Sequence, residues 1–249
     1  MRRRAFILGG LACGCGICAS AAAGVNRAHQ VGCYVSARAA GGTAVDYGYK
    51  PSTGIPLYDA TVRRALGHVV NVMGRPVNAN LQFMDEFNAH VNPEPKPRVI
   101  AFGKALLDKL AGNDFELKVT CVAAHETAHL LQLEDPYFDI ALLDATVRRS
   151  ELEADAFAGA CLAFIVNGGR KINRGVLEEK RPDVLSAFQL MFGLGDNSFN
   201  NPNHHGTSEE RREAVNSGYT FSNEIANGGR LRGDISTDIM DMARRIAVR

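Results

Sequence analysis

His125 and His129 stand four positions apart, with Glu126 beside the first. Val122-Ala123-Ala124 before them and Leu130-Leu131 after them are apolar. On a helix, positions i and i+4 share a face, with Cβ atoms about 5–6 Å apart. Both imidazoles can then reach one ion at the roughly 2.0–2.1 Å of zinc–nitrogen bonds. Burying two histidines and a glutamate with nothing to engage them is costly. The chain must therefore sink this helix into its core and bring a further ligand to it from elsewhere, because an open zinc site takes three protein ligands and keeps one place for water.

The best third ligand is Glu151, in Ser150-Glu151-Leu152-Glu153-Ala154-Asp155. It falls on a separate helical stretch that can cross behind the first. Glu153 is the alternative, but at about 100° per residue it points roughly 200° around the helix from Glu151, so only one of the two can face the ion. Asp155, one turn beyond Glu151, is placed to accept a hydrogen bond from the far nitrogen of a ligand histidine and so to fix its tautomer. Glu126 follows the first ligand by one position and can lean over the open side without binding, where it can take a proton from water.

Around this pair of helices the pattern is mixed. Residues 58–73 read as a helix, with Leu66, Val69, Val70 and Met73 at helical spacing and Gly74 after them. On it, His68 is read as structural or exposed rather than metal-binding. Residues 77–84 alternate apolar and polar as a strand does, 87–91 read as a second strand and 98–102 as a third. Helices are expected at 104–110, 115–133, 140–166 (with a break near Asp144), 184–192 and 234–248. Asn167-Gly168-Gly169 reads as a left-handed cap, 196–205 as a polar loop, and Thr207-Ser208-Glu209-Glu210 as a capping box opening one more helix.

With 28 basic and 27 acidic side chains among 249 residues, the net charge of +1 gives no reason to expect nucleic acid or an anionic membrane surface as partner. Residues 1–23 read as an export signal. Met1-Arg2-Arg3-Arg4 is basic, an apolar and small-residue run follows, and Ala21-Ala22-Ala23 suits a signal peptidase. Arg3-Arg4-Ala5-Phe6-Ile7-Leu8 resembles a twin-arginine signal, and lipidation at Cys13 is a weaker alternative. The run is too short and glycine-rich for a stable transmembrane span in the mature chain. The expected location is therefore the periplasm or outside. Residues 24–57, rich in Gly, Ala and Tyr, read as an extended arm, and 58–249 as the zinc-bearing domain. The mature chain keeps Cys33, Cys121 and Cys161, of which at most one pair can join. Cys121 and Cys161 read as small buried hydrophobes.

Residues 150–159 resemble the Glu-Leu-Gln-Ala-Asp-Cys-x-Ala-Gly segment of the neutral zinc metallopeptidases of bacteria. His205-Gly206-Thr207-Ser208-Glu209-Glu210-Arg211-Arg212, followed by Gly218-Tyr219, resembles that family's His-Gly-Ser-Ser-x-x-Arg segment with its Gly-Tyr. Gly193-Leu194-Gly195-Asp196 resembles the turn before it. More broadly, the order of motifs is similar to that of the HtpX-like gluzincin metalloproteases, in which an Asn-Ala-Phe stretch precedes the edge strand. Asn88-Ala89-His90 is its counterpart here.

The resemblance covers roughly residues 77–220. It implies that His125, His129 and Glu151 bind Zn2+, that Glu126 is the general base, that Asp155 supports a ligand, and that His205 or Arg211 steadies the oxyanion. Read without the resemblance, His205 is a loop histidine next to His204, and Arg211 pairs with carboxylates on the Glu151 side or caps a helix. The expected fold is an α+β, zincin-like metalloprotease domain, mostly helical toward its C-terminus. Its small sheet is expected to lie over the helix of His125 and His129, with an edge strand near residues 99–102 to which an extended peptide or unfolded protein adds itself as a further strand. The expected activity is zinc-dependent endopeptidase cleavage in the bacterial cell envelope. The alternative is a non-cleaving, zinc-bearing peptide-binding protein of the envelope.

Overall fold

The computed structural model describes residues 48–92, 97–134, 147–166, 189, 205–226 and 235–247. Several expectations lie outside them: the export signal with Cys13, the arm before residue 48, Cys33, the helix start at 140–146, the cap at 167–169, the Gly-Asp turn at 193–196 and the loop at 196–204. Of the helix expected at 184–192, only Gln189 is described, and it is helical. The described residues form an α+β arrangement, mostly helical, with one three-stranded sheet.

Helix α1 runs Pro56–Met73, two residues earlier than its apolar periodicity implies, because Pro56 sits in the first turn. Proline suits that position, where its missing N–H would be unsatisfied in any case. The helix buries Val62, Ala65, Val69 and Met73, and Gly74 closes it at φ 68° with its N–H on Val70 O at 3.0 Å. Strands β1 (Ala79–Met84), β2 (Ala89–Asn92) and β3 (Arg98–Gly103) follow, then α2 (Lys104–Leu110).

The sheet order is β1-β3-β2, with β1 parallel and β2 antiparallel to β3. The expectation that residues 99–102 form an edge strand is therefore wrong: β3 is central. The reason lies in its composition. Val99-Ile100-Ala101-Phe102 is an unbroken apolar run, and such a run is buried on both faces. Phe102 and Ile100 enter the main core with Phe83 and Val91, while Val99 and Ala101 join Met84 and Tyr49 on the opposite face. The outer strands are β1 and β2. The described end of the arm lies against β1, where Lys50 and Phe83 exchange two backbone hydrogen bonds of 2.8 Å. Tyr49 reaches His90 on β2, with 2.7 Å between its hydroxyl and Nε2.

Helix α3 (Phe115–Glu134) is buried at every position from Val119 to Gln132. A helix buried on all sides belongs in the middle of a domain, and α1, β2, α2 and α4 (Arg148–Val166) surround it. Helix α5 (Ser208–Ala226) and helix α6 (Ile235–Ala247) pack on the far side of α4. The α4–α5 crossing is very close. A Cβ at Gly159 would overlap the carbonyl of Val215, and one at Gly218 would overlap the carbonyl of Ala156. Each helix thus opens a gap for the other's backbone.

The capping box forms as expected. Thr207 N–H donates to Glu210 Oε2 at 2.8 Å, and Glu210 N–H donates to Thr207 Oγ1 at 3.2 Å. A threonine cap of this kind stabilises a helix by about 1 kcal/mol. Glu210 also accepts from Arg148 at 2.6 Å, tying the start of α5 to the start of α4; that guanidinium first, and the cap bonds after it, push the Glu210 carboxyl down to about 2. Among the described residues, no helix is long and apolar enough to cross a membrane.

Candidate metal centre

Two neighbouring helices, α3 and α4, supply the site. His125 and His129 project from one face of α3 and meet Glu151 from the first turn of α4. The two Nε2 atoms lie 3.1 Å apart. Glu151 Oε2 is 3.3 Å from Nε2 of His125, and Oε1 is 3.4 Å from Nε2 of His129. All three side chains are buried, with one ligand atom from each within 4.8 Å of the others. Bonds of roughly 2.0–2.1 Å from one tetrahedral ion require ligand atoms about 3.3 Å apart, which is the spacing seen here.

The far nitrogens are engaged elsewhere. Nδ1 of His125 lies 2.9 Å from Asp155 Oδ1, and Nδ1 of His129 lies 2.7 Å from Gln132 Oε1. A carboxylate and an amide oxygen can only accept, so each Nδ1 carries the proton of its neutral ring. Both Nε2 atoms then present lone pairs to each other and to a carboxylate. Glu151 Oε1 is also buried with no hydrogen-bond partner among the described residues. Lone pairs facing one another at this range need a cation between them. The donor set therefore fits a metal ion, and the cluster could hold one.

Charge points the same way. Around the histidines lie four buried carboxyl groups, Glu126, Glu151, Glu153 and Asp155, and one buried guanidinium, Arg211. Glu153 pairs with Arg149 and Asp155 with Arg211; Glu126 and Glu151, if both ionised, add two negative charges, which a divalent cation balances. Burial opposes ionisation of Glu151, and only positive charge at the Nε2 side of the imidazoles, which neutral rings protonated at Nδ1 do not supply and a bound cation would, holds it well below the usual carboxylate range. Burial likewise works against Asp155, but the Arg211 charge and the bonds from His125 and Arg211 keep it below its ordinary value. Glu126 is different. Burial pushes its pKa up, and its Oε2 has no hydrogen-bond partner among the described residues.

Arg211 comes from the start of α5 and is 2% exposed. Its Nε donates to Asp155 Oδ2 at 2.7 Å and its Nη2 to Asp155 Oδ1 at 2.9 Å, a bidentate pair. Nη2 is also 3.7 Å from Glu151 Oε2. The guanidinium is thus committed to carboxylates, as the reading without the resemblance has it. His205 is half-buried just before the capping box and close enough to influence Glu151. His68 is 44% exposed and pairs with Glu116, away from the cluster.

Glu153, the alternative ligand, turns away from the histidines. It accepts from Gln132 Nε2 at 3.1 Å and pairs with Arg149. Glu151→Gln is therefore expected to weaken metal retention more than Glu153→Gln, and metal analysis of the two variants after dialysis checks this; the reverse order would move the ligand to Glu153. Cys121 and Cys161 are buried free thiols that burial pushes far from ionisation.

Gln132 was missed in the sequence because an amide is not a metal ligand. The available signal was its spacing, three positions after His129 and so on the same helix face. Compared with protein-family models, curated proteins and solved structures, the chain matches none.

Proposed function

We propose that this chain is a zinc-dependent endopeptidase of the gluzincin type, acting in the bacterial cell envelope on peptides or unfolded protein. One observation carries the reading: two imidazoles and a carboxylate from two helices converge in the core with their lone pairs facing inward, beside a second carboxylate that is not part of the triangle. Nitrogen and oxygen donors of this kind suit zinc. A purely structural site has no use for the second carboxylate. The motif resemblance to the neutral zinc metallopeptidases and the HtpX-like peptidases supports the same conclusion, as does the export-signal pattern for the location.

When bound, zinc supplies Lewis acidity and brings water toward ionisation near neutral pH. The chain's own residues do the rest. Glu126, a carboxylate whose pKa burial has raised, accepts the proton that the attacking water loses as its oxygen bonds to the scissile carbonyl carbon. It then gives that proton to the amine nitrogen as the carbon–nitrogen bond breaks. Asp155, held ionised by Arg211, keeps the His125 ring in its tautomer. His205 is the closer of the two proposed oxyanion donors in function, because Arg211 is committed to Asp155 and Glu151.

The test is product analysis by mass spectrometry after incubating the zinc-loaded protein with a mixture of unfolded proteins. New peptides that vanish on chelation and return with zinc are expected. Tight retention of peptides without cleavage would instead support the non-cleaving binding protein.

A further inference from the structure

Gln132 sits at the join between the two halves of the metal cluster. It is 2% exposed and has three short hydrogen-bond contacts. Its Nε2 lies 2.9 Å from the backbone carbonyl of Ser150 and 3.1 Å from Glu153 Oε2, and its Oε1 lies 2.7 Å from Nδ1 of His129. The backbone carbonyl can only accept, so the amide nitrogen must face Ser150. The amide oxygen is thereby turned toward His129, and the proton of a neutral His129 ring must be on Nδ1. Its Nε2 is left as the lone-pair donor beside Glu151. Ser150 and Glu153 flank Glu151 on α4, so the same amide fixes the His129 ring relative to the turn that carries the third ligand.

We propose that Gln132 is a positioning residue of the metal centre: it holds His129 in its metal-ligating tautomer and locks that ring to the first turn of α4. The inference rests on the reading of the cluster as a metal site. It completes a pairing in which each ligand histidine has its own support, one anionic and one neutral. His125 leans on Asp155, whose charge Arg211 balances. His129 leans on an amide, which fixes orientation without adding negative charge to surroundings that already hold four buried carboxyl groups.

The experiment measures zinc affinity of the full protein by competition with a chromogenic chelator, for the wild type, Gln132→Met and Gln132→Glu. Losing the acceptor in Gln132→Met is expected to weaken zinc binding about 10- to 100-fold, the usual cost of removing a ligand's hydrogen-bond partner. Gln132→Glu keeps an acceptor for His129 but no donor for Ser150. It is expected to recover part of the affinity, because the bond to His129 is kept while the tie to α4 is lost, and the melting temperature of the chelated protein is expected to fall. A merely structural Gln132 would lower that melting temperature in both variants and leave affinity unmoved, which overturns the proposal; so does equal weakening in both.

A second measurement needs no variant to fold. Nitrogen-15 spectra of the zinc-loaded wild type are expected to show His129 protonated at Nδ1, with Nε2 carrying no proton, and a proton on Nε2 instead overturns the assignment. Failure of the wild type to bind zinc at all would strike the functional reading, whereas zinc binding with the proton of His129 on Nε2 would strike the role of Gln132 alone.

Discussion

Glu126→Gln is expected to lower peptide turnover by at least about a hundredfold, the low end for loss of a general base, while zinc content stays at the wild-type level. The substitution keeps the shape and the polar end of the side chain but removes the ability to accept a proton from water. Glu126 lies on α3 between the two histidines, yet its carboxylate is not one of the three converging groups. Metal retention and proton transfer are therefore separable at this residue. Because burial already works against ionisation of this carboxyl, a neutral amide in its place is expected to leave the melting temperature equal or slightly higher. Steady-state kinetics with metal analysis and a thermal melt on the same preparation check all three statements. Unchanged cleavage would remove Glu126 from the chemistry and leave the cluster as a binding site.

The largest effect on stability is expected from Arg211→Met. Its guanidinium is the only buried cation against Asp155 and Glu151 among the described contacts. Removing one partner of a buried pair leaves the other charged and unsolvated, which costs about 3–5 kcal/mol. For a protein of this length each kcal/mol shifts the melting temperature by about 2–4 °C, so a fall on the order of 10 °C is expected. Arg211→Lys recovers only part of it, because an ammonium cannot make the two parallel bonds to Asp155. Adding Asp155→Asn to Arg211→Met removes the stranded charge and keeps an oxygen that can accept from His125. That double variant is expected to be more stable than Arg211→Met alone. Equal melting temperatures for the two would mean that Asp155 is not the group Arg211 stabilises.

Much of this arrangement was legible in the residues, for physical reasons that differ by element. The helix of His125 and His129 could be placed because an apolar run that long, closed by acidic residues and proline, has few other uses. Helix rotation showed that only one of Glu151 and Glu153 could face the ion, and the two carboxyl groups do face different neighbours. Strand β1 was visible from alternation, but the order of the strands was not. Pairing depends on which edges meet after the chain turns, and only the unbroken apolar character of β3 hinted at its central place. That Arg211 pairs with carboxylates on the Glu151 side was readable, but its bidentate grip on Asp155 in particular was hidden, because the two are far apart in sequence and meet through the α4–α5 crossing. Gln132 was hidden because its importance lies in what it accepts and donates, not in its residue type.

The paired gaps at Gly159 and Gly218 carry a consequence for how this centre can change. Where side chains separate two helices, a substitution can be absorbed by a rotamer. Here main chain rests on main chain, so the spacing has no soft layer to yield. Any bulk introduced at either point must lever α5 outward as a rigid rod, and the guanidinium at its beginning would be drawn off its carboxylate. The immediate surroundings of the candidate metal centre are thus gauged by two residues that never touch them, and a lesion there would look, from His125, His129 and Glu151 alone, like damage without a cause.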